Sequence, residues 1–309
     1  MQKKLILIDC DPGCDDALAL LLAFANEELR IKGITVSAGN VHINNTTENA
    51  RKITGYFRKE IPVSKGCEKP MFRNIVTASE VHGESGIGKV VLKNTDKKIE
   101  EKNAMEFIAE VLKKTEEKVT VVITGPMTNI AVFLISYPEL KNKIEKFVIM
   151  GGSSIGGNVT PSAEFNIYVD AEAADIVFKS GIDIVLCPLD VTMKAYITEE
   201  DLEDIKNIGN YASEIAYGAI KNSLEFYKEF YNTNKVPMHD PCTIAYLLNS
   251  EIFKGNEAFV GVELKGKYTY GETIIDYRNK LGKNKNALVL NEIDREKFVE
   301  MLKKAIKSI

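Results

Sequence analysis

The sequence predicts an α/β fold: an open, mostly parallel sheet with helices on both faces and its functional site at the C-terminal ends of the strands. Three observations point there. Short runs are apolar without a polar break, as in strands buried on both faces. Each run ends in polar or glycine residues and gives way to a helical pattern, and the alternation holds over residues 5–190. The chain has 309 residues, 45% of them hydrophobic, with no internal repeat and no low-complexity linker. Residues 1–309 are therefore expected to form one domain around a sizeable core.

The elements follow in order. Leu5–Ile8 is a continuously apolar strand. "DDALALLLAFANEEL" opens on Asp15 and Asp16 and is a helix apolar on nearly all sides, so it is expected to be buried. "IKGITVSAGN" is a second strand ending in a Gly-Asn loop, and "NTTENARKITGYFRK" an amphipathic helix. "KVTVVITGPMTNIAVFLISYP" reads as strand, Gly-Pro turn and helix, and "IEKFVIMGGS" as a strand ending in glycines. "DAEAADIVFKSG" is a helix closed by Gly181, leading into the strand "IDIVLCP". Residues 199–230 are helical with a break near 208–210, and "DPCTIAYLLNSEIF" opens another helix at an acid. Residues 258–277 alternate as a hairpin or meander, and 294–308 close the chain as an amphipathic helix.

The bulk numbers exclude several function classes. The net charge is −4 with both signs interspersed, which gives no general attraction for nucleic acid or an anionic membrane. No apolar run approaches the length of a membrane span. "MQKKLILIDCDPG" meets acids too early to be a secretory signal. The five cysteines (Cys10, Cys14, Cys67, Cys187 and Cys242) are odd in number and irregularly spaced, as free thiols of a cytoplasmic protein are. A zinc role for Cys10 and Cys14 is disfavoured, since no matching Cys or His pair exists.

In open α/β sheets ligands bind beyond the strands' carboxyl ends. After the first strand come Asp9, Asp11, Asp15 and Asp16; after the second, Asn40; after "VTVVIT", Thr124, Gly125 and Pro126. Gly151, Gly152 and Asn158 follow "FVIM", with Glu164 and Asn166 further on. The acids need a physical account. Two carboxylates 4 Å apart repel by about 4 kcal/mol at an effective dielectric near 20. A proton, a basic side chain or a metal ion can offset this. Lys3, Lys4 and Arg30 fall at the far ends of these elements. An oxygen-seeking divalent cation, Ca²⁺ or Mg²⁺, is the best match. The plain alternative makes Asp15 a helix N-cap and Asp9 a solvated strand end. Asp240 likewise suits an N-cap before Pro241, and capping is compatible with metal binding. His239 precedes it, His82 sits in a glycine-rich loop suited to be a lid, and His42 looks like an exposed residue at a helix start.

"DCDPGCDDALAL" resembles the D-x-D-x-G-x-D-D signature of the nucleoside hydrolases, the inosine–uridine-preferring ribohydrolases. "SAGN" at 37–40, "VHGESGIG" at 81–88, "TGPMTNIA" at 124–131, "MGG" at 150–152, "EFNIYVDAEAA" at 164–174 and "MHDP" at 238–241 match in order. The resemblance implies a Ca²⁺-dependent N-ribohydrolase that splits ribonucleosides into free base and ribose. It implies Asp11 as both calcium ligand and general base, with Asp16, Asp240 and the backbone carbonyl of Thr124 as further ligands. Asp15 and Asn40 would hold the ribose hydroxyls or order the water, and Asn158, Glu164 and Asn166 would complete the sugar pocket. His239 would lie near the leaving base, and His82 in a mobile loop that closes over it. Asp9 would support from behind. One base and one held water imply direct displacement with inversion. Family members commonly form dimers or tetramers, so a homo-oligomer is expected.

The base side is read from the residues. A family subgroup stacks purines between tryptophans, and this chain has none. In "NSLEFYKEFY", Ser223, Tyr227 and Tyr231 recur every four residues and share a helix face, while Phe226 and Phe230 are assigned to packing. Uridine and cytidine are the expected substrates, with inosine also open. Two rivals remain. A haloacid dehalogenase-type phosphatase, with Asp9 as nucleophile, Asp11 as acid and Mg²⁺, leaves Asp15, Asp16 and the later motifs unexplained. A calcium-stabilised, non-catalytic nucleoside-binding homologue would not need Asp11 and His239. A helix–loop–helix calcium loop is excluded because a strand precedes the motif.

Overall fold

The computed structural model describes residues 3–309. The chain begins β1 (Lys4–Cys10), α1 (Cys14–Phe24), β2 (Leu29–Val36), α2 (Ile43–Phe57), β3 (Val63–Lys65), α3 (Ser79–His82) and α4 (Ala104–Lys114). It continues β4 (Val119–Ile123), α5 (Thr128–Ser136), β5 (Ile144–Met150), α6 (Phe165–Val169), α7 (Ala171–Phe178), β6 (Ile184–Cys187) and α8 (Leu189–Thr192). Then come β7 (Tyr196–Ile197), α9 (Glu199–Asn207), α10 (Tyr211–Tyr231), β8 (Val236–Pro237) and α11 (Pro241–Leu248). The chain closes with β9 (Phe253–Val262), β10 (Thr273–Asp276), β11 (Ala287–Ile293) and α12 (Arg295–Ser308).

Nine strands form one open sheet in the order β10-β9-β11-β6-β5-β4-β1-β2-β3. Every neighbouring pair from β11 to β3 is parallel, and only β9 pairs antiparallel, with β10 and β11. The strand order reverses at β1: β2 and β3 lie on one side, β4, β5 and β6 on the other. Such a reversal opens a crevice between the outgoing chains at the carboxyl ends of the strands. Here it lies between β1 and β4.

Both faces of the sheet are covered, because successive side chains of a strand point to opposite sides. Ile6 and Ile8 of β1 pack with α1, α10, α11 and α12, whereas Leu5 and Leu7 pack with α4, α5 and α7. α1 is buried along its whole length except Asp15, which matches its nearly uniform apolar composition. The predicted break separates α9 from α10, and Asn210 caps α10 by accepting from the Ser213 N–H at 2.8 Å. α2 starts two residues ahead of the quoted run, with exposed His42 at its N-cap. All five cysteines are free. No helix among the described residues is long and apolar enough to cross a membrane. The sequence pattern did not single out α4 or β11, and β11 carries the sheet from β6 to the antiparallel edge.

The core is held by side chains such as Phe147, which is fully buried on β5. Phe147→Ala is expected to cost about 3–5 kcal/mol of unfolding free energy, from lost burial and the cavity left behind. Phe72→Ala, at a site 75% exposed, is expected to stay within about 0.5 kcal/mol of wild type. Urea unfolding of both variants checks this, and equal effects would contradict the assigned core.

Candidate active site

β1 ends at Cys10, and the chain turns through Asp11, Pro12 and Gly13 into α1. Gly13 holds the N-cap position, and its N–H donates to Asp16 Oδ2 at 2.9 Å. The capping contact therefore belongs to Asp16, and the plain N-cap role for Asp15 does not hold. Asp16 also accepts from the Thr124 hydroxyl at 2.8 Å and from Asn40 Nδ2 at 3.0 Å. Asp11 Oδ2 accepts the Asn40 N–H at 2.7 Å, while Asp11 Oδ1 is buried with no hydrogen-bond partner. Two glycines make room for this carboxylate. A Cβ on Gly39 would sit 2.0 Å from Asp11 Oδ2, and one on Gly125 would sit 2.6 Å from Oδ1.

Asp9 lies behind these groups. It is fully buried, with Oδ1 accepting from the Thr35 hydroxyl and from Asn129 Nδ2, so it is not a solvated strand end. Burial pushes its carboxyl up to about 7 despite those bonds. Asp240 opens α11, but its side chain makes no capping hydrogen bond. Instead, one oxygen each of Asp15, Asp16 and Asp240 lie within 4.8 Å of one another. Burial, then the other carboxylates, raise Asp11 and Asp240 well above the usual range, and burial with Asp15 raises Asp16 to about 6. None of the ion pairs among the described residues reaches this group. Oxygen donors that converge without a counter-charge, beside the orphaned Asp11 Oδ1, fit an oxygen-coordinating divalent cation. Asp15 belongs to the three-carboxylate cluster and Asp11 does not. The Thr124 carbonyl accepts from Asn166 Nδ2 at 2.7 Å, leaving it one lone pair.

The crevice opens into a pocket with a cavity volume of about 190 Å³. Asp15, Asn40, Asn158, Glu164 and Asn166 line it together with His82, Tyr227, Tyr231 and His239. Every expected substrate-side residue is thus on one pocket. Glu164 caps α6, accepting from the N–H groups of Asn166 and Ile167, and takes a third bond from the Gly152 N–H. Asn158 accepts from the Phe165 N–H at 2.9 Å, which ties the loop after β5 to α6.

Two imidazoles also line the pocket. His82 ends the short helix α3, and its Nδ1 accepts the Cys14 N–H at 3.0 Å, so this segment is joined to the first turn of α1. His239 Nδ1 lies 2.8 Å from Thr192 Oγ1, and its Nε2 lies 3.4 Å from the Tyr227 hydroxyl. Burial lowers both histidines' affinity for a second proton. Tyr227 and Tyr231 have ring centroids 5.3 Å apart. Phe226 packs against Tyr227, Phe230 and Tyr231, as assigned, and also lines the pocket, whereas Phe230 is 65% exposed. Met150, Phe165, Glu80 and Val81 line it as well; Met150, Val81 and Phe165 lie inside quoted motifs but were given no role there.

A family model described as inosine-uridine preferring nucleoside hydrolase matches residues 6–300. The chain is 48% identical over 308 residues to the pyrimidine-specific ribonucleoside hydrolase RihA of Escherichia coli O1:K1, covering 98% of each. Among solved structures it is similar to a purine-preferring ribonucleoside hydrolase from Gardnerella vaginalis, with a TM-score of 0.91, 30% identity and 98% of each chain covered. A plant nucleoside hydrolase matches with a TM-score of 0.92 and 30% identity, over 98% of this chain and 99% of that one.

Burial raises Glu164 from 4.5 to about 7. The folded protein then keeps a proton that the unfolded chain has released, so the group's stabilising contribution is full below pH 4.5 and is lost as pH rises to about 7. With chelator present, the stability of wild type relative to Glu164→Gln is expected to fall across this window, by at most about 1.4 kcal/mol per pH unit. Urea unfolding at several pH values measures it, and a pH-independent difference would rule out the retained proton.

Proposed function

The chain belongs to the inosine-uridine preferring nucleoside hydrolase family and hydrolyses the N-glycosidic bond of ribonucleosides, and from that premise we propose that it is Ca²⁺-dependent and prefers uridine and cytidine. The observation that carries the metal assignment is the convergence of Asp15, Asp16 and Asp240 beside the partnerless Asp11 Oδ1. Pyrimidine preference is supported by the name of the 48% identical relative and by the absence of tryptophan from the chain. Inosine remains a secondary substrate.

Asp11, Asp16, Asp240 and the Thr124 carbonyl would hold the cation. When bound, it supplies positive charge that offsets the carboxylates and gathers the ribose hydroxyls and a water at one point. Asp11 takes a proton from that water, and its hydrogen bond from the Asn40 N–H holds the carboxylate in place. Asp15 and Asn40 hold the ribose hydroxyls, and Asn158, Glu164 and Asn166 bind the rest of the sugar. Water attacks the anomeric carbon as the bond to the base breaks, and the carboxylates stabilise the oxocarbenium-like charge that develops. A single displacement inverts the anomeric centre. His239 hydrogen-bonds the departing base, His82 covers it, and Tyr227 and Tyr231 stack on its ring. Membership of the family sets the phosphatase and non-catalytic alternatives aside. We further assign residues 1–309 to one domain, the protein to the cytoplasm, and its assembly to a dimer or tetramer.

Incubation with uridine, cytidine, inosine and p-nitrophenyl phosphate tests the reading. Free base and ribose are expected from the nucleosides, with pyrimidines fastest, and no phosphate release. Chelation removes the activity and Ca²⁺ restores it. Asp11→Ala is expected to lower kcat by about 10²–10⁴-fold, the worth of a positioned general base. His239→Ala should slow uridine far more than p-nitrophenyl riboside, whose leaving group needs no help. Full activity in chelator would overturn the metal assignment, faster inosine the base preference, and equal slowing of both substrates the role of His239.

A further inference from the structure

His239 has a partner on the side away from the pocket that no motif contains. Thr192, at the end of α8, is fully buried, and its hydroxyl oxygen lies 2.8 Å from His239 Nδ1. We propose that Thr192 is a positioning residue: its hydroxyl donates to Nδ1 and holds His239 as the Nε2–H tautomer, a hydrogen-bond donor on its pocket side. The proposal rests on the reading of His239 as the group beside the leaving base.

The direction of the bond follows from what each group can do. A hydroxyl has one proton to place and two lone pairs, while a neutral imidazole has one nitrogen of each kind. His239 Nδ1 is the only hydrogen-bond partner of the Thr192 hydroxyl among the described residues. If Nδ1 carried the proton, the hydroxyl would accept from it, and its own proton would be buried with no acceptor. An unplaced buried donor is the costlier outcome. With the hydroxyl donating, its proton is satisfied and the imidazole N–H moves to Nε2. That nitrogen lies 3.4 Å from the Tyr227 hydroxyl, which then accepts from it. Tyr227 is half-buried and lines the pocket, so its own proton is not sealed in as that of fully buried Thr192 would be.

His82 arrives at the same tautomer by another route. A backbone N–H can only donate, so the Cys14 N–H at 3.0 Å makes His82 Nδ1 an acceptor and puts the proton on Nε2. The two imidazoles come from distant segments, and each has its Nδ1 engaged from behind. In both cases the second contact decides which nitrogen carries the proton.

The departing pyrimidine gathers negative charge on its ring nitrogen and exocyclic oxygen. A donor there helps, whereas a bare nitrogen lone pair would repel it. Thr192→Val keeps the shape and removes the hydroxyl. Its kcat on uridine is expected to fall about tenfold or more, the usual cost of losing a partner that sets an imidazole tautomer. KM should change little, and p-nitrophenyl riboside should be slowed much less than uridine. Thr192→Ser should restore uridine turnover. ¹⁵N NMR of histidine-labelled wild-type protein reads the tautomer directly, whatever the fate of the valine variant. A protonated Nε2 and unprotonated Nδ1 on His239 are expected. Protonated Nδ1, equal slowing of both substrates, or no slowing of uridine would each overturn the proposal. If His239→Ala discriminates between the substrates and Thr192→Val does not, this inference fails while the role of His239 stands.

Discussion

The structure depends on holding acids together where they repel. Asp9, Asp11, Asp16 and Asp240 are buried, and Asp15 lies half-buried beside them. A pair of such groups at 4 Å repels by about 4 kcal/mol even at an effective dielectric near 20. Two helix N-termini meet there, since Asp15 and Asp16 stand in the first turn of α1 and Asp240 opens α11. A helix N-terminus contributes roughly 0.3–1 kcal/mol to a nearby carboxylate, which offsets only part of the repulsion. The remaining imbalance is what the proposed cation would offset. It also explains why the reversal of strand order at β1 matters. That crevice lets loops after β1, β2 and β4 and the start of α11 bring oxygens to one place.

The parts of this arrangement that obey local rules were legible in the sequence. An unbroken apolar strand, an acid-rich turn and an all-apolar helix announce the β1–α1 unit. The strand–helix alternation announces the parallel sheet. Asp240 was legible as a helix start and, through the resemblance, as a metal ligand; in the structure its side chain makes no capping hydrogen bond and lies with Asp15 and Asp16. What escaped was set by contacts far apart in the chain. Asn40 meets Asp11 across 29 residues, His82 meets Cys14 across 68, and Thr192 meets His239 across 47. No periodicity encodes such pairs. Phe226 is a different case. Ser223, Tyr227 and Tyr231 recur at four-residue steps, but a helix face also includes positions three apart. Phe226 is three residues from Ser223, so it reaches the pocket from the same helix face while packing on Tyr227 and Tyr231.

The pocket is lined by both polar and aromatic side chains, which suits the two halves of the bond to be broken. In the proposed reaction the sugar carbon gains positive charge and the base gains negative charge. No carboxylate is among the groups that touch the imidazoles: His239 meets Thr192 and Tyr227, and His82 meets a backbone N–H. Burial disfavours a second proton on either ring, so each acts as a neutral donor whose useful hydrogen is chosen by its other nitrogen. A charged imidazolium would be drawn towards Asp15, whose carboxylate favours protonation of both rings. A neutral N–H feels that pull far less and stays available to the base. On the proposed roles, the anchoring of both Nδ1 atoms would keep a neutral donor available to the base although the acids share the same pocket.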